Sequence, residues 1–327
     1  GKEPRWMGPG KHGSLMYTDN AIAPWMGSLG GDWRFPGRLE GLGRFRAELG
    51  LGWMDQPRTD VNHPGLLALD LRWLPLPELE IGLTRMALFG GEGRPIDVGQ
   101  LILPTEPHIY NDPDQVLPDQ DELARIDFRV CLPLQKWLQG PWRYLEGWWE
   151  YGGEDVIGRS LGPIPYPALA GVGNLYGVEL VVGPISATTE YSRLMDDYFR
   201  WYVGHRVYHQ GFTQEDRVIG HFGGPDSETL YLALSLDQPL WRTRLWGDHL
   251  RRVGVIESLN QKLFTLMTEE NHLRLGLEGG LKLPHQGYLA LNYQLDRATG
   301  LNFIVGNDHT SHALMLSYQI GTWASQH

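Results

Sequence analysis

The residues best suited to chemistry lie between positions 198 and 226, where aromatic, cationic and acidic side chains alternate with glycine. Tyr198, Trp201, Tyr202, Tyr208 and Phe212 offer rings able to stack on the apolar faces of sugars. Arg200, Arg206, His209 and Asp226 offer charged and hydrogen-bonding groups for hydroxyls or carboxylates. The alternative use of the same residues is structural: the rings pack a long loop back onto the rest of the chain. Two other arrangements invite a catalytic reading and fail on spacing. Glu154 and Asp155 are adjacent, so on a strand they point to opposite faces, and no partner completes a glycosidase pair. His205 and His209 are four apart, which aligns two ligands on a helix but not in a strand or loop. No nucleophile elbow, phosphate loop or metal motif is present, and neither catalysis, a cofactor nor a bound metal is expected.

The elements that must position these residues are strands. With 42 Gly, 13 Trp, 14 Tyr and only 20% charged residues, the composition is that of a turn-rich aromatic β-protein. Period-two alternation runs from about residue 42 to the end. Phe45, Ala47, Leu49, Leu51 and Trp53 oppose Arg44, Arg46, Glu48 and two glycines; Leu67, Leu69, Leu71 and Trp73 oppose Ala68, Asp70 and Arg72. Ile126, Phe128 and Val130 oppose Asp127 and Arg129, and leucine ladders repeat the pattern at 230–236, 273–283, 289–295 and 314–320. Gly183-Pro184, Pro239–Trp241, Pro284–Gly287 and a Pro-Leu-Pro turn at 75–77 separate segments, whereas 90–121 and 197–226 are long polar connections. A short helix is expected at 95–103.

Alternation alone leaves open which face is buried, because a soluble β-sandwich shows the same period. Three features turn the apolar face outward. The segments are about ten residues long, enough to cross a bilayer at a tilt. The meander lacks the variety of strand length expected of Greek keys. Trp53, Trp73, Phe89, Trp142, Trp149 and Trp241 recur near segment ends, where an interfacial girdle would sit. The expectation is an all-β chain over residues 1–327 forming one transmembrane antiparallel β-barrel of a bacterial outer membrane, with about fourteen to eighteen strands and a lumen partly filled by loops and charged side chains. Inward charges such as Glu48, Asp70, Arg72, Asp127, Glu146, Glu150, Glu179, Arg244, Arg274 and Glu278 should pair across strands. Their mixed signs argue against a strongly ion-selective pore.

The net charge of −11 disfavours nucleic acid as a partner. The single cysteine, Cys131, excludes an internal disulfide. Starting at Gly1 without a leader, the chain is expected to be a processed or trimmed form.

Irregular stretches add what periodicity lacks. Trp6-Met7-Gly8-Pro9-Gly10-Lys11-His12-Gly13-Ser14-Leu15, followed by Asp19-Asn20, resembles an N-terminal motif of the capsule-assembly Wzi family. Leu79–Arg85 with Phe89-Gly90-Gly91-Glu92-Gly93-Arg94-Pro95 is similar to that family's strand and Gly-rich loop. Tyr208-His209-Gln210-Gly211-Phe212, continuing through Arg217-Val218-Ile219-Gly220-His221 to Gly223-Gly224-Pro225-Asp226-Ser227, follows in family order. Family members usually carry more N-terminal sequence and a terminal aromatic, whereas this chain ends Trp323-Ala324-Ser325-Gln326-His327. The resemblance implies a non-enzymatic protein of the cell outer membrane that binds surface polysaccharide and anchors or organises a capsule-like layer, in contact with outer-membrane lipid and with other envelope proteins. Tyr198, Trp201, Tyr202, Arg206, Tyr208, His209, Asp226 and Trp6 are its glycan-binding candidates. A solute channel and a structural anchor in a larger envelope assembly remain the alternatives.

Overall fold

The computed structural model describes residues 1–2, 5–96, 98, 119–161, 164–195, 201–255, 267–283 and 287–320. These residues form seventeen strands: β1 (Trp25–Arg34), β2 (Arg44–Trp53), β3 (Gly65–Leu76), β4 (Leu79–Phe89), β5 (Gln120–Leu132), β6 (Trp142–Gly153), β7 (Asp155–Leu161), β8 (Ile164–Ala170), β9 (Gly173–Val182), β10 (Ile185–Leu194), β11 (Thr213–Gln214), β12 (Arg217–Val218), β13 (Ser227–Asp237), β14 (Trp241–Val255), β15 (Met267–Leu283), β16 (Gly287–Thr299) and β17 (His309–Ile320). Thirteen of them join in chain order into one large sheet, from β1 to β6, then β9, β10 and β13 to β17. The hairpins β7–β8 and β11–β12 stand apart from it. The chain divides into two compact units, one comprising residues 1–130, 148–176 and 193–226, the other 131–147, 177–192 and 227–327.

In the first unit the antiparallel register aligns like with like. Glu48 faces Asp70, Arg46 faces Arg72, Leu49 faces Leu69 and Leu51 faces Leu67. Which face is buried follows from exposure: Leu83 is 52% exposed, while Arg72 is 6% and its neighbour Thr84 fully buried. The apolar face is therefore the open one and the polar face the closed one, the reverse of a soluble sandwich. In the second unit β13 repeats this, with Leu230, Leu232 and Leu234 exposed between buried Thr229, Tyr231 and Ala233. Leucine-lined sheet faces exposed in this way are stable only against an apolar solvent. Ten residues at about 3.3 Å each, tilted about 45°, span roughly the apolar band of an outer-membrane barrel.

Exposed and half-buried rings flank the leucine face in the first unit. Trp25 and Trp53 stack with centroids 6.5 Å apart at one end of β1–β2, and Phe45 stacks on Trp73 at 5.8 Å at the other. No helix among the described residues is long and apolar enough to cross a membrane, so any crossing belongs to the strands.

Several local expectations change. The Pro-Leu-Pro stretch is not itself the turn: β3 runs through Pro75 to Leu76, with a register shift between Trp73 and Leu76, and the reversal falls at Pro77-Glu78. A bulge lets a proline enter a strand end because no ladder donor is required there. β1 lay outside the alternating region, since glycines at 27, 30 and 31 dilute its pattern of Trp25, Leu29 and Trp33. Most of the expected helix at 95–103 lies outside the described residues; of the part described, Pro95 and Ile96 carry no regular structure and Val98 is helical.

Candidate functional site

The first unit is organised around the polar face of β5. Alternation places Arg125 and Asp127 inward, and both side chains are fully buried. The guanidinium Nη2 of Arg125 lies 2.9 Å from Asp127 Oδ2 and donates to Thr84 Oγ1 at 2.7 Å. Its Nη1 lies 3.0 Å from Glu150 Oε2 on β6 and donates to the Met7 carbonyl at 2.7 Å. Asp127 is shared with Arg72, whose Nη1 is 2.6 Å away, and Arg72 also forks onto Asp70 through two 2.9 Å bonds. The expected pairing of inward charges is thus realised here as a connected network in which each buried carboxylate meets a guanidinium.

This network holds the N-terminal segment. Glu150 accepts from the Leu15 amide at 2.8 Å and from the Gly10 amide at 3.2 Å. Met7 and Tyr17 form an isolated bridge that closes the segment into a loop. Gly13 packs under the His221 ring, which a Cβ would strike. The Gly-Pro-Gly and Gly-Ser-Leu residues therefore serve close backbone approach and amide donation rather than surface chemistry.

The connection from 201 to 226 folds over the same segment. Thr18 donates from its amide to the Ile219 carbonyl at 2.8 Å and from its hydroxyl to Gly220 at 2.5 Å. The Tyr202 hydroxyl donates to the Leu15 carbonyl at 2.9 Å and accepts from the His221 amide at 2.9 Å. Burial holds the Tyr202 and Tyr208 hydroxyls well above the ordinary phenol range, fixing both as neutral donors. Burial lowers His205, with Asp119 opposing the shift; its Nδ1 accepts from the Tyr208 amide at 3.3 Å.

A second clasp comes from the β2–β3 connection. Arg58 and Asp60, both with buried side chains, pair at 2.8 Å. Arg58 donates to the Gly211 carbonyl at 3.1 Å, and Asp60 accepts from the Gln210 amide at 2.8 Å. Two loops about 150 residues apart in sequence are tied through a buried ion pair that the β2–β3 connection carries alone.

Against this frame the expected glycan-facing residues separate. Trp201, Tyr202 and Tyr208 are fully buried and Asp226 is 5% exposed. Tyr208 donates to the Gly90 carbonyl at 3.0 Å, linking the Gly-rich loop after β4 to the long connection. Arg206 stands at the surface, its guanidinium 2.9 Å from Asp119; His209 is exposed, and Trp6 is 41% exposed with its indole donating to the Gly10 carbonyl at 2.9 Å. Tyr198 and Arg200 lie outside the described residues. Asp155, second of the adjacent acids, opens β7, and its side chain is not among those described. Arg125 was missed by the sequence reading, although its spacing two before Asp127 and four before Arg129 carried the signal.

The chain is similar to known proteins in sequence and in fold. A 99-residue stretch is 33% identical to an uncharacterized 55.8 kDa protein in the cps region of Klebsiella pneumoniae, covering 29% of this chain and 19% of that relative. The fold matches Escherichia coli Wzi, described as an outer membrane protein involved in group 1 capsule assembly and a carbohydrate-binding β-barrel, with a TM-score of 0.70 and 18% identity over 99% of this chain and 67% of that one. At that identity the likeness establishes the β-barrel fold. The model of the capsule assembly protein Wzi family matches residues 1–237, which takes in the pinned N-terminal segment, the Arg125 network and the folded connection that covers them; by that match over most of its length, this chain belongs to the Wzi capsule assembly family.

Proposed function

We propose that the protein sits in the outer membrane, binds surface polysaccharide without chemically altering it, and thereby organises or anchors a capsule-like glycan layer. The observation that carries this reading is the reversed sheet: exposed leucines make the strands lipid-facing, while the β2–β3 connection and residues 201–226 are ordered by a buried ion pair and hydrogen bonds to the N-terminal segment. In such barrels the longer loops face the cell exterior. Pre-ordered loops suit recognition of a polymer, since little conformational entropy is lost on contact.

In this reading the eight candidates divide the work. Trp6, Arg206 and His209 meet glycan, and Trp201, Tyr202, Tyr208 and Asp226 hold the loop that presents them; Tyr198 stays a candidate for contact. The filled polar face of the first unit favours an anchoring surface over a solute channel. Titrating polysaccharide from the protein's own cells into the detergent-folded chain should give saturable binding. Arg206→Ala should weaken it about three- to tenfold, the value of one ordinary hydrogen bond at an exposed site. Absence of binding to any glycan from those cells would refute the proposal.

A further inference from the structure

A cavity of about 400 Å³ lies where the β2–β3 connection meets the β11–β12 hairpin, lined by Asp55, Gln56, Gln210, Gln214, Glu215 and Asp216 together with Pro57. None of these belongs to the residues already considered for glycan contact. We infer that this cavity is a subsite for uncharged, hydroxyl-rich sugar residues of the polysaccharide, read by Gln214 and the carboxylates of Glu215 and Asp216; it rests on the function proposed above.

The lining is a set of amides and carboxylates, the groups that accept paired hydrogen bonds from vicinal hydroxyls. Its volume falls in the range of small-ligand sites. Gln214 supplies the pointer to a ligand. It is 1% exposed, its Nε2 donates to Asp55, and that bond fixes which end of the amide is oxygen. The remaining Oε1 is buried without a hydrogen-bond partner. A buried carbonyl left without a donor keeps a desolvation penalty that a ligand hydroxyl donating to it would remove.

The walls are held from behind. Gln56 donates to the Thr213 carbonyl at 3.0 Å, and Gln210 accepts from the Thr59 amide at 2.9 Å. Lys2 pairs with Asp55 and so accounts for its charge. Glu215 and Asp216 place two carboxylates at the exposed hairpin tip, where a uronate would meet like-charge repulsion. Among the described residues no group of three or more His, Cys, Asp or Glu converges on a metal position. Both hairpin residues have positive φ, 50° and 60°, a conformation glycine adopts without strain.

That last fact makes the test clean. Glu215→Gly and Asp216→Gly each remove a carboxylate while suiting the backbone, so resistance to urea should hold or rise. Polysaccharide from the producing cells is titrated into the detergent-folded full chain. Each glycine variant should bind about threefold to tenfold more weakly, and Gln214→Leu about tenfold more weakly. Reduction of the polymer's carboxyl groups to alcohols should leave affinity unchanged or raise it. Unchanged affinity in all three variants would overturn the subsite, as would loss of binding on carboxyl reduction or on addition of EDTA. If the unaltered protein bound no polysaccharide at all, the broader function proposed above would fail instead.

Discussion

Arg125→Met is expected to destabilise the folded protein by about 3–5 kcal/mol, because it leaves the buried carboxylate of Glu150 without its counter-charge. Asp127 keeps Arg72 at 2.6 Å, but Glu150 keeps only neutral donors, among them the amides of Leu15 and Gly10. The loss should concentrate in the N-terminal segment, which also forfeits the bond from Arg125 to the Met7 carbonyl. Urea unfolding of the lipid-reconstituted protein would show the shift, and limited proteolysis would show cleavage between residues 5 and 24. Adding Glu150→Gln should restore part of the stability by removing the orphaned charge. An unchanged midpoint in the single variant would mean that the network does not hold the segment.

Trp201→Ala should cost a similar 3–5 kcal/mol, the usual loss for deleting a fully buried tryptophan. The indole lies over Gly152 and Gly173, where an added Cβ would come within 2.9 and 2.8 Å of its ring, and meets Tyr202 edge-on at 5.6 Å. Truncation leaves that slot empty, and the connection from 201 to 226 should lose amide-exchange protection. Polysaccharide binding should fall with it. Trp201→Phe, which keeps a ring in the slot, should retain most of both. If the alanine variant lost binding with exchange protection intact, Trp201 would be a contact residue instead of a support.

How far the sequence reaches is visible in these two residues. Period-two spacing marked the strands, their polar faces and the long connections, because alternation is local and a strand shows it without its partners. The direction of burial was also legible, through segment length and terminal aromatics. Arg125 escaped because the apolar face of its segment was counted from Ile126, one residue later. Trp201, Tyr202 and Tyr208 read equally well as stacking platforms or as packing, since a tryptophan has the same chemistry in either place. What buries Tyr202 is contact with Leu15, 187 residues earlier; no local pattern encodes so distant a partner, although the family motifs at both sites carried the hint. The amide and carboxylate lining around Gln214 was invisible for the same reason, with its halves contributed by residues 55–57 and 210–216.

The measurement that bears most directly on the proposed function is the partition of polysaccharide between cell surface and medium in a strain lacking this protein and in the same strain with it restored. The predicted result is that total polysaccharide stays the same while its attached fraction falls in the deletion strain and returns on restoration. An attached fraction indifferent to the protein would contradict the account.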